Sequence, residues 1–277
     1  MFEIERPQVS SIVIGFDSAW TDAPKAPGAI SAIAYDANGR CSFLPPQLVP
    51  FAQALDFVQE ARERHRFCLV ALDQPTIVPN TSGSRPVEKV AASVVSYIGG
   101  GVQPSNRSKI GMFDDTAPVW AFKRALAATE DPELARTAQT GLFLIEVFPA
   151  LALAGLHGPF AQRFGAPKYN PQNRRKYRPE DWQNVTTVVA QLADQLAASD
   201  LAAWARQARV LPHPRKADQD RLDSALCSIV GLIWRACSRN SSAMIGDLGT
   251  GYMITPVSPE TRQRLSASAA ANGVPLR

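Results

Sequence analysis

Apolar positions along the chain fall into short continuous runs and into stretches of helical period, and together these predict alternating strands and helices. Strands are predicted over residues 10–17, 28–40, 41–49, 66–76, 140–150 and 251–257. Helices are predicted over residues 51–64, 117–128, 132–139, 182–198, 200–209 and 218–237. The stretches 77–111 and 158–181 have the composition of loops.

The order of these elements predicts the topology. The first three strands follow one another through tight turns and are therefore antiparallel, and the prolines in 41–49 suit an edge strand. The strands at 66–76 and 140–150 are reached through helical crossovers and should run parallel to the first. We expect an α/β fold with a mixed sheet and helices on both faces, forming one domain over 10–257 with polar tails at 1–9 and 258–277.

Three of the apolar runs end in an acid. Asp17, Asp73 and Glu146 are the first carboxylates at or near the ends of the runs at 10–17, 66–76 and 140–150. In open α/β sheets the functional site lies beyond the carboxyl ends of neighbouring strands, so these side chains converge if the strands are parallel neighbours. Asp220 and Asp223 are three residues apart and share one side of the helix at 218–237.

Such a carboxylate cluster repels itself unless some acids take up protons or hard cations neutralise the charge. Oxygen-only ligands favour Mg²⁺ or Mn²⁺ over zinc, and two such ions can activate water and stabilise the leaving oxygen in phosphodiester cleavage. The pattern therefore predicts a metal site formed by Asp17, Asp73, Glu146, Asp220 and Asp223. Taken singly, each acid is also explained as a turn or cap residue, or as a helix N-terminal acid.

Four motifs, GFDSAW, ALDQPTIVPN, EVFPA and DQDRLDSALC, occur in this order between about residues 11 and 256. They resemble the bacterial family of predicted RNase H-like nucleases. The resemblance implies an RNase H-like three-layer fold with a mixed five-stranded sheet and a site similar to that of Holliday-junction resolvases. Carried over to this chain, the catalytic acids are Asp17, Asp73, Asp220 and Asp223. Glu146 belongs to the EVFPA motif and is a further candidate ligand. The resolvases have Glu where this chain has the shorter Asp73.

Basic residues are concentrated in two loop-like stretches. The basic segment, residues 163–178, has no acid and interleaves two tyrosines, Tyr169 and Tyr177. Phosphate contact by Lys and Arg together with aromatic stacking is how single strands are bound, although a solvated basic loop explains the segment equally well. The candidate substrate-binding residues are Arg85, Lys89, Lys168, Arg174, Arg175 and Lys176.

Composition is compatible with this interpretation but does not establish it. The chain is 45% hydrophobic and 19% charged, and its formal charge of +4 is a mild basic bias. The four cysteines form no CxxC pair, which favours free thiols in a reducing compartment. The N-terminal MFEIERPQ lacks the pattern of a signal peptide and no run of about 18 apolar residues occurs, so we expect a cytoplasmic protein without a membrane partner.

Three functions are compatible with these features. The first is a metal-dependent nuclease that hydrolyses phosphodiester bonds of DNA or RNA by a two-metal mechanism. The second is an ATP-dependent phosphotransferase of the actin and sugar-kinase superfamily, although Trp20 would crowd a phosphate next to Asp17. The third is a non-catalytic nucleic-acid-binding protein that keeps the same fold.

Overall fold

The computed structural model describes residues 9–277, so the expected N-terminal tail lies outside the described residues apart from Val9. The strands are β1 (Ser11–Asp17), β2 (Gly28–Tyr35), β3 (Cys41–Val49), β4 (Phe67–Leu72), β5 (Gly141–Glu146), β6 (Ser242–Asp247) and β7 (Gly251–Pro256). The helices are α1 (Phe51–Arg64), α2 (Pro86–Val95), α3 (Pro118–Leu126), α4 (Pro132–Thr137), α5 (Pro149–Leu156), α6 (Pro179–Gln195), α7 (Ser199–Arg209), α8 (Lys216–Ala236) and α9 (Pro259–Asn272).

Five strands form one mixed sheet in the order β3-β2-β1-β4-β5. The pairs β1–β2 and β2–β3 are antiparallel, whereas β1–β4 and β4–β5 are parallel. The predicted mixed five-stranded sheet is confirmed. Strand β3 lies at one edge of the sheet. Pro45 and Pro46 have no N–H to donate, and an edge strand tolerates this because it has a neighbour on one side only.

Helices cover both faces of this sheet because its strands are apolar on both sides. In β1, Ile12 and Ile14 point into a core formed with α1 and α3. Val13, between them, points into a second core, formed mainly with α6, α7 and α8. This is the alternation expected of a central strand, and it gives each side chain of β1 a defined face.

A third apolar cluster joins α2, α5 and α9 to the two-stranded antiparallel ribbon of β6 and β7. This part of the chain differs most from the sequence prediction. Helix α2 lies inside the expected loop 77–111, and the expected strand 140–150 ends at Glu146 before α5 begins. The segment 258–277 is not a tail, since Leu265 is fully buried and Leu276 pairs with Ile245 of β6.

None of the helices within residues 9–277 combines the length and the apolar character that crossing a bilayer requires.

Candidate active site

Two acids meet at the carboxyl edge of the sheet because β1 and β4 are parallel neighbours. Phe16 and Leu72 are paired in register, so the next residues on the two strands are Asp17 and Asp73. The Asp73 N–H donates to the Phe16 carbonyl over 2.9 Å, which extends the pairing past the end of β4. The structure therefore brings these two predicted site residues together.

Helix α8 adds the other two acids because it lies directly on β1. A Cβ atom at Gly15 would be only 2.1 Å from the carbonyl oxygen of Ser224, so glycine alone permits this approach. Gly15 and Asp17 are two residues apart and face the same side of the sheet. Asp223 immediately precedes Ser224 on the helix, and its carboxylate therefore comes close to that of Asp17. Asp17, Asp73, Asp220 and Asp223 are called the acid cluster below.

Burial and neighbouring carboxylates raise the pKa of two acids of the cluster, Asp17 and Asp73. Burial raises the pKa of Asp17 well above its usual value, and the charges of Asp223, Asp73 and Asp220 raise it further. Burial, Asp223 and then Glu146 do the same to Asp73. These shifts mean that burial and mutual repulsion disfavour the ionised forms of these carboxyl groups.

Asp223 has the best-defined surroundings of the four. Its Oδ1 accepts a hydrogen bond from the Tyr169 hydroxyl at 2.7 Å, and its Oδ2 accepts one from Gln219 Nε2 at 2.6 Å. Burial raises the pKa of Asp223 to about 6, although the hydrogen bond from Tyr169 and the charge of Lys216 oppose this rise. The other amide atom of Gln219, Oε1, is buried without a hydrogen-bond partner among the described residues.

Lys216 is a cation at the acid cluster that the sequence analysis missed. Its ammonium group pairs with the carboxylate of Asp220, four residues later on α8. Partial burial lowers the pKa of Lys216, but Asp17, Asp220 and Asp223 raise it by more, so the side chain stays charged. The i,i+4 spacing of Lys216 and Asp220 is the sequence signal that could have identified this pair.

A pocket of about 520 Å³ opens onto the acid cluster and is called the acid pocket below. Asp17, Asp220 and Lys216 line it from the sheet and α8, and Gln172 lines it from the basic segment. Through Gln172, the basic segment thus borders this pocket. Tyr169 itself is 9% exposed and bonded to Asp223, so its expected role as a platform for stacked bases is wrong.

The candidate phosphate-binding residues of the basic segment differ in their availability. Arg174, Arg175 and Lys176 are exposed and begin two residues after Gln172. The ammonium of Lys168 instead donates to the carbonyl of Gly99 at 2.7 Å, which anchors the segment. The first three therefore remain candidates to contact a phosphate.

Arg85 and Glu146 form a buried ion pair with each other. Arg85 donates to both oxygens of Glu146, at 2.6 and 2.9 Å, and to Glu88 at 2.8 Å. Because Arg85 is fully buried, the expectation that it presents its guanidinium to a substrate phosphate is wrong. Both carboxylate oxygens of Glu146 accept hydrogen bonds from Arg85, and Oε2 accepts a further one from the backbone N–H of Thr76 at 2.9 Å. Glu146 is therefore engaged apart from the acid cluster. Lys89, on α2, is exposed.

The acid cluster has the chemistry of a hard-cation site, but its side chains are not gathered around one point. Among residues 9–277, no three or more His, Cys, Asp or Glu side chains are arranged so that they could hold a metal ion. Asp220 and Asp223 are engaged by Lys216, Tyr169 and Gln219. The donor set of four carboxylates nevertheless fits Mg²⁺ or Mn²⁺, whose charge would relieve the mutual repulsion.

The fold and site define a mixed α/β protein with a carboxylate cluster at the carboxyl edge of its central strands. The sequence model of one family, described as "Protein of unknown function (DUF429)", matches residues 15–245, and the chain belongs to this family. This range contains every residue of the acid cluster and the whole basic segment. Comparisons with curated proteins and with solved structures found no significant match.

Proposed function

We propose that the protein is a metal-dependent nuclease of the RNase H-like class that hydrolyses phosphodiester bonds of nucleic acid. The strand order β3-β2-β1-β4-β5, with β2 alone antiparallel to both of its neighbours, supports this class. The positions of Asp17, Asp73 and the Asp220–Asp223 pair support it too, because they agree with the site implied by the sequence motifs. The assignment of the fold as RNase H-like is part of this proposal, as is the reaction.

One observation carries the proposal: two acids of the self-repelling cluster, Asp17 and Asp220, line the same pocket as Gln172 of the strongly basic segment. An acid cluster alone would repel a phosphodiester, and a basic segment alone could bind a phosphodiester without any acid nearby. The two are compatible when a divalent cation lies between the carboxylates and the phosphate. Such a cation, when bound, lowers the pKa of water and stabilises the charge that develops on the phosphoryl oxygens.

The residues of the chain then have separate tasks. Asp17, Asp73 and Asp223 would hold the cation, and Tyr169 keeps Asp223 oriented through its 2.7 Å hydrogen bond. Lys216 presents a positive charge at the wall of the acid pocket. Arg174, Arg175 and Lys176 would contact phosphates along the strand, whichever the base sequence.

The first experiment is a calorimetric titration of the protein with Mn²⁺. Asp17→Asn should lose the binding, whereas Asp56→Asn, an exposed acid of α1, should retain it. The same three proteins are then incubated with labelled single-stranded, duplex and branched DNA and RNA in the presence of Mg²⁺. Cleavage by the wild type and the Asp56 variant, but not by the Asp17 variant, is the expected result.

Two results would contradict the proposal. Cleavage that persists in Asp17→Asn would show that another site or a contaminant performs it. Nucleic-acid binding without Mn²⁺ binding or cleavage would favour the alternative, a non-catalytic nucleic-acid-binding protein. The lack of a formed three-ligand metal group among residues 9–277 is the observation that speaks for this alternative.

The ATP-dependent phosphotransferase has no comparable support. The residues that follow Asp17 are Ser18, Ala19 and Trp20, and the Trp20 indole donates to the Asp73 carbonyl at 3.3 Å. A bulky side chain therefore occupies the turn that a phosphate-binding loop would need.

A further inference from the structure

A second, smaller cavity adjoins the acid cluster on the other side of Trp20. It has a volume of about 220 Å³ and is called the Trp20 slot below. Its apolar walls are formed by Trp20, Pro75, Val102, Val147, Phe148 and Met253. Asp73 lines the slot, while Trp20 lines both the slot and the acid pocket.

The two glutamates at the base of the slot share one buried cation. Glu146 and Glu88 both line it, and Arg85 pairs with each of them, at 2.6 and 2.8 Å. Ser105 adds a backbone hydrogen bond to Glu88 at 3.0 Å. Apart from Asp73 at the edge towards the acid cluster, each carboxylate that lines the slot is thus ion-paired with Arg85, and the one guanidinium leaves the two glutamates with an excess of negative charge.

Trp20 is held firmly at the boundary between the two cavities. Its backbone is in the left-handed region, with φ of 45°, which a bulky residue adopts only when its surroundings require it. The indole N–H donates to the Asp73 carbonyl, and the ring packs on Phe113 with 5.4 Å between centroids. One face of a fixed aromatic ring is thus presented next to the acids.

The size and chemistry of the slot limit what it can take. A volume of about 220 Å³ is below the range of about 300–1,000 Å³ typical of pockets for drug-sized ligands, and suits a single flat ring system. Three acids on its lining disfavour a phosphate. Gln103 lies at the exposed rim, where its amide can donate to and accept from the edge of a heterocycle.

We propose that the Trp20 slot binds one unpaired nucleobase of the substrate strand, immediately next to the phosphate held at the acid cluster. This inference rests on the proposed nuclease function and specifies its substrate. A base inside a duplex would have to be unpaired and extruded first, which disfavours it by several-fold or more. The preferred substrate is therefore single-stranded or contains an unpaired position, as at a branch or a bulge.

The test is a scan with abasic sites. A set of otherwise identical single-stranded oligonucleotides with a non-hydrolysable backbone carries one abasic position each, and their affinity for the wild-type protein is measured by fluorescence anisotropy in the presence of Mn²⁺. One position should lose between about fivefold and 150-fold in affinity, the value of one base stacked on aromatic side chains. With a natural backbone and Mg²⁺, the cleaved bond should lie beside that position.

Three variants identify the cavity that is responsible. Phe148→Leu removes an aromatic wall but keeps apolar volume, and Gln103→Ala changes an exposed rim residue that the fold does not need. Both should weaken the response at the sensitive position. Phe164→Ala removes a 69% exposed aromatic ring in the basic segment and should leave the response intact.

The outcomes separate this inference from the nuclease proposal. Three results would overturn the inference. They are an equal loss of affinity at every abasic position, a position-specific loss that is abolished only by Phe164→Ala, and no binding of any oligonucleotide. If the protein binds Mn²⁺ and cleaves nucleic acid but the scan is flat, the inference alone fails. If one position is sensitive but neither Mn²⁺ binding nor cleavage is found, the slot stands and the nuclease proposal fails.

Discussion

Replacing Asp223 by asparagine should make the protein more stable at neutral pH when no divalent cation is present. The reason is that the ionised carboxylate of Asp223 is buried, and this raises its pKa from 3.8 to about 6. A raised pKa means that the folded protein holds the proton more tightly than the unfolded chain. Between about pH 4 and pH 6, stability therefore falls as pH rises, and above about pH 6 the whole loss is present.

The size of this effect follows from the pKa. The rise from 3.8 to about 6 is roughly two units, and at 1.36 kcal/mol for each unit it corresponds to about 3 kcal/mol. The amide in Asp223→Asn carries no charge at any pH, so the variant avoids this loss. Its hydrogen bonds are retained, because Gln219 Oε1 has no partner among the described residues and can accept from the new amide after a flip.

The assay is urea unfolding of both proteins in EDTA over a pH series. At about pH 8 the variant should be more stable by about 3 kcal/mol, and the difference should vanish below about pH 3, where the wild-type carboxyl is protonated in both states. Asp56→Asn, an exposed acid, serves as the control and should follow the wild type. A variant that is no more stable than the wild type at pH 8 would refute the idea that burial disfavours the ionised carboxylate of Asp223.

Three other substitutions test the remaining parts of the site. Gly15→Val should lower the free energy of unfolding by at least about 3 kcal/mol in urea unfolding, because the added atoms meet the backbone of α8, whereas Gly158→Ala, which faces open space, should change it by less than about 0.5 kcal/mol. Arg85→Met should cost about 3–5 kcal/mol by the same assay, and adding Glu146→Gln should recover part of this loss, since one buried charge is then removed; no recovery would mean that the ion pair is not the cause. Tyr169→Phe should raise the pKa of Asp223 by about one unit in a carboxyl NMR titration, because a hydrogen bond to the ionised form is lost, and an unchanged titration would contradict that bond.

The sheet was predictable because its strands carry strong local signals. Strand β3 has the predicted bounds, Cys41–Val49, and its prolines placed it at the edge. Strand β2 is shorter than expected, since the Asp36 carboxylate accepts hydrogen bonds from the N–H groups of Asn38 and Arg40 and ends the strand in a turn. The sequence therefore predicted the turn correctly, and only the C-terminal end of β2 was misplaced.

The helices outside the sheet were harder to predict because tertiary packing stabilises them. Helix α9 buries only a few side chains, among them Leu265 and Ala269, on the surface of α2. Its sequence shows a cap, in which Ser258 accepts from the Thr261 N–H, but almost no apolar stripe. A weak stripe is sufficient once a complementary surface exists, and that surface cannot be seen from a local window.

The positions of the acids at the strand ends predicted the acid cluster, but they did not predict that Glu146 lies outside it. A shift of one residue along a strand moves a side chain to the other face of the sheet. Leu72 pairs with Glu146 on β5, whereas Asp73 is one step further along β4. Glu146 alternates with Leu144, which faces α1 and α3, while Asp73 alternates with Ala71, which faces α8. In the sequence, both acids follow the last apolar residue of their runs, so the sequence alone does not show that they face opposite sides of the sheet.

The separation of Glu146 has a structural consequence for the site. A carboxylate on that face needs a partner, and Arg85, the residue before α2, supplies it while also binding Glu88 within α2. This ion-paired group ties α2 to the end of β5 and forms the base of the Trp20 slot, directly beside Asp73. Glu146 thus supports the site by shaping a cavity next to the acid cluster rather than by adding a fifth carboxylate to it.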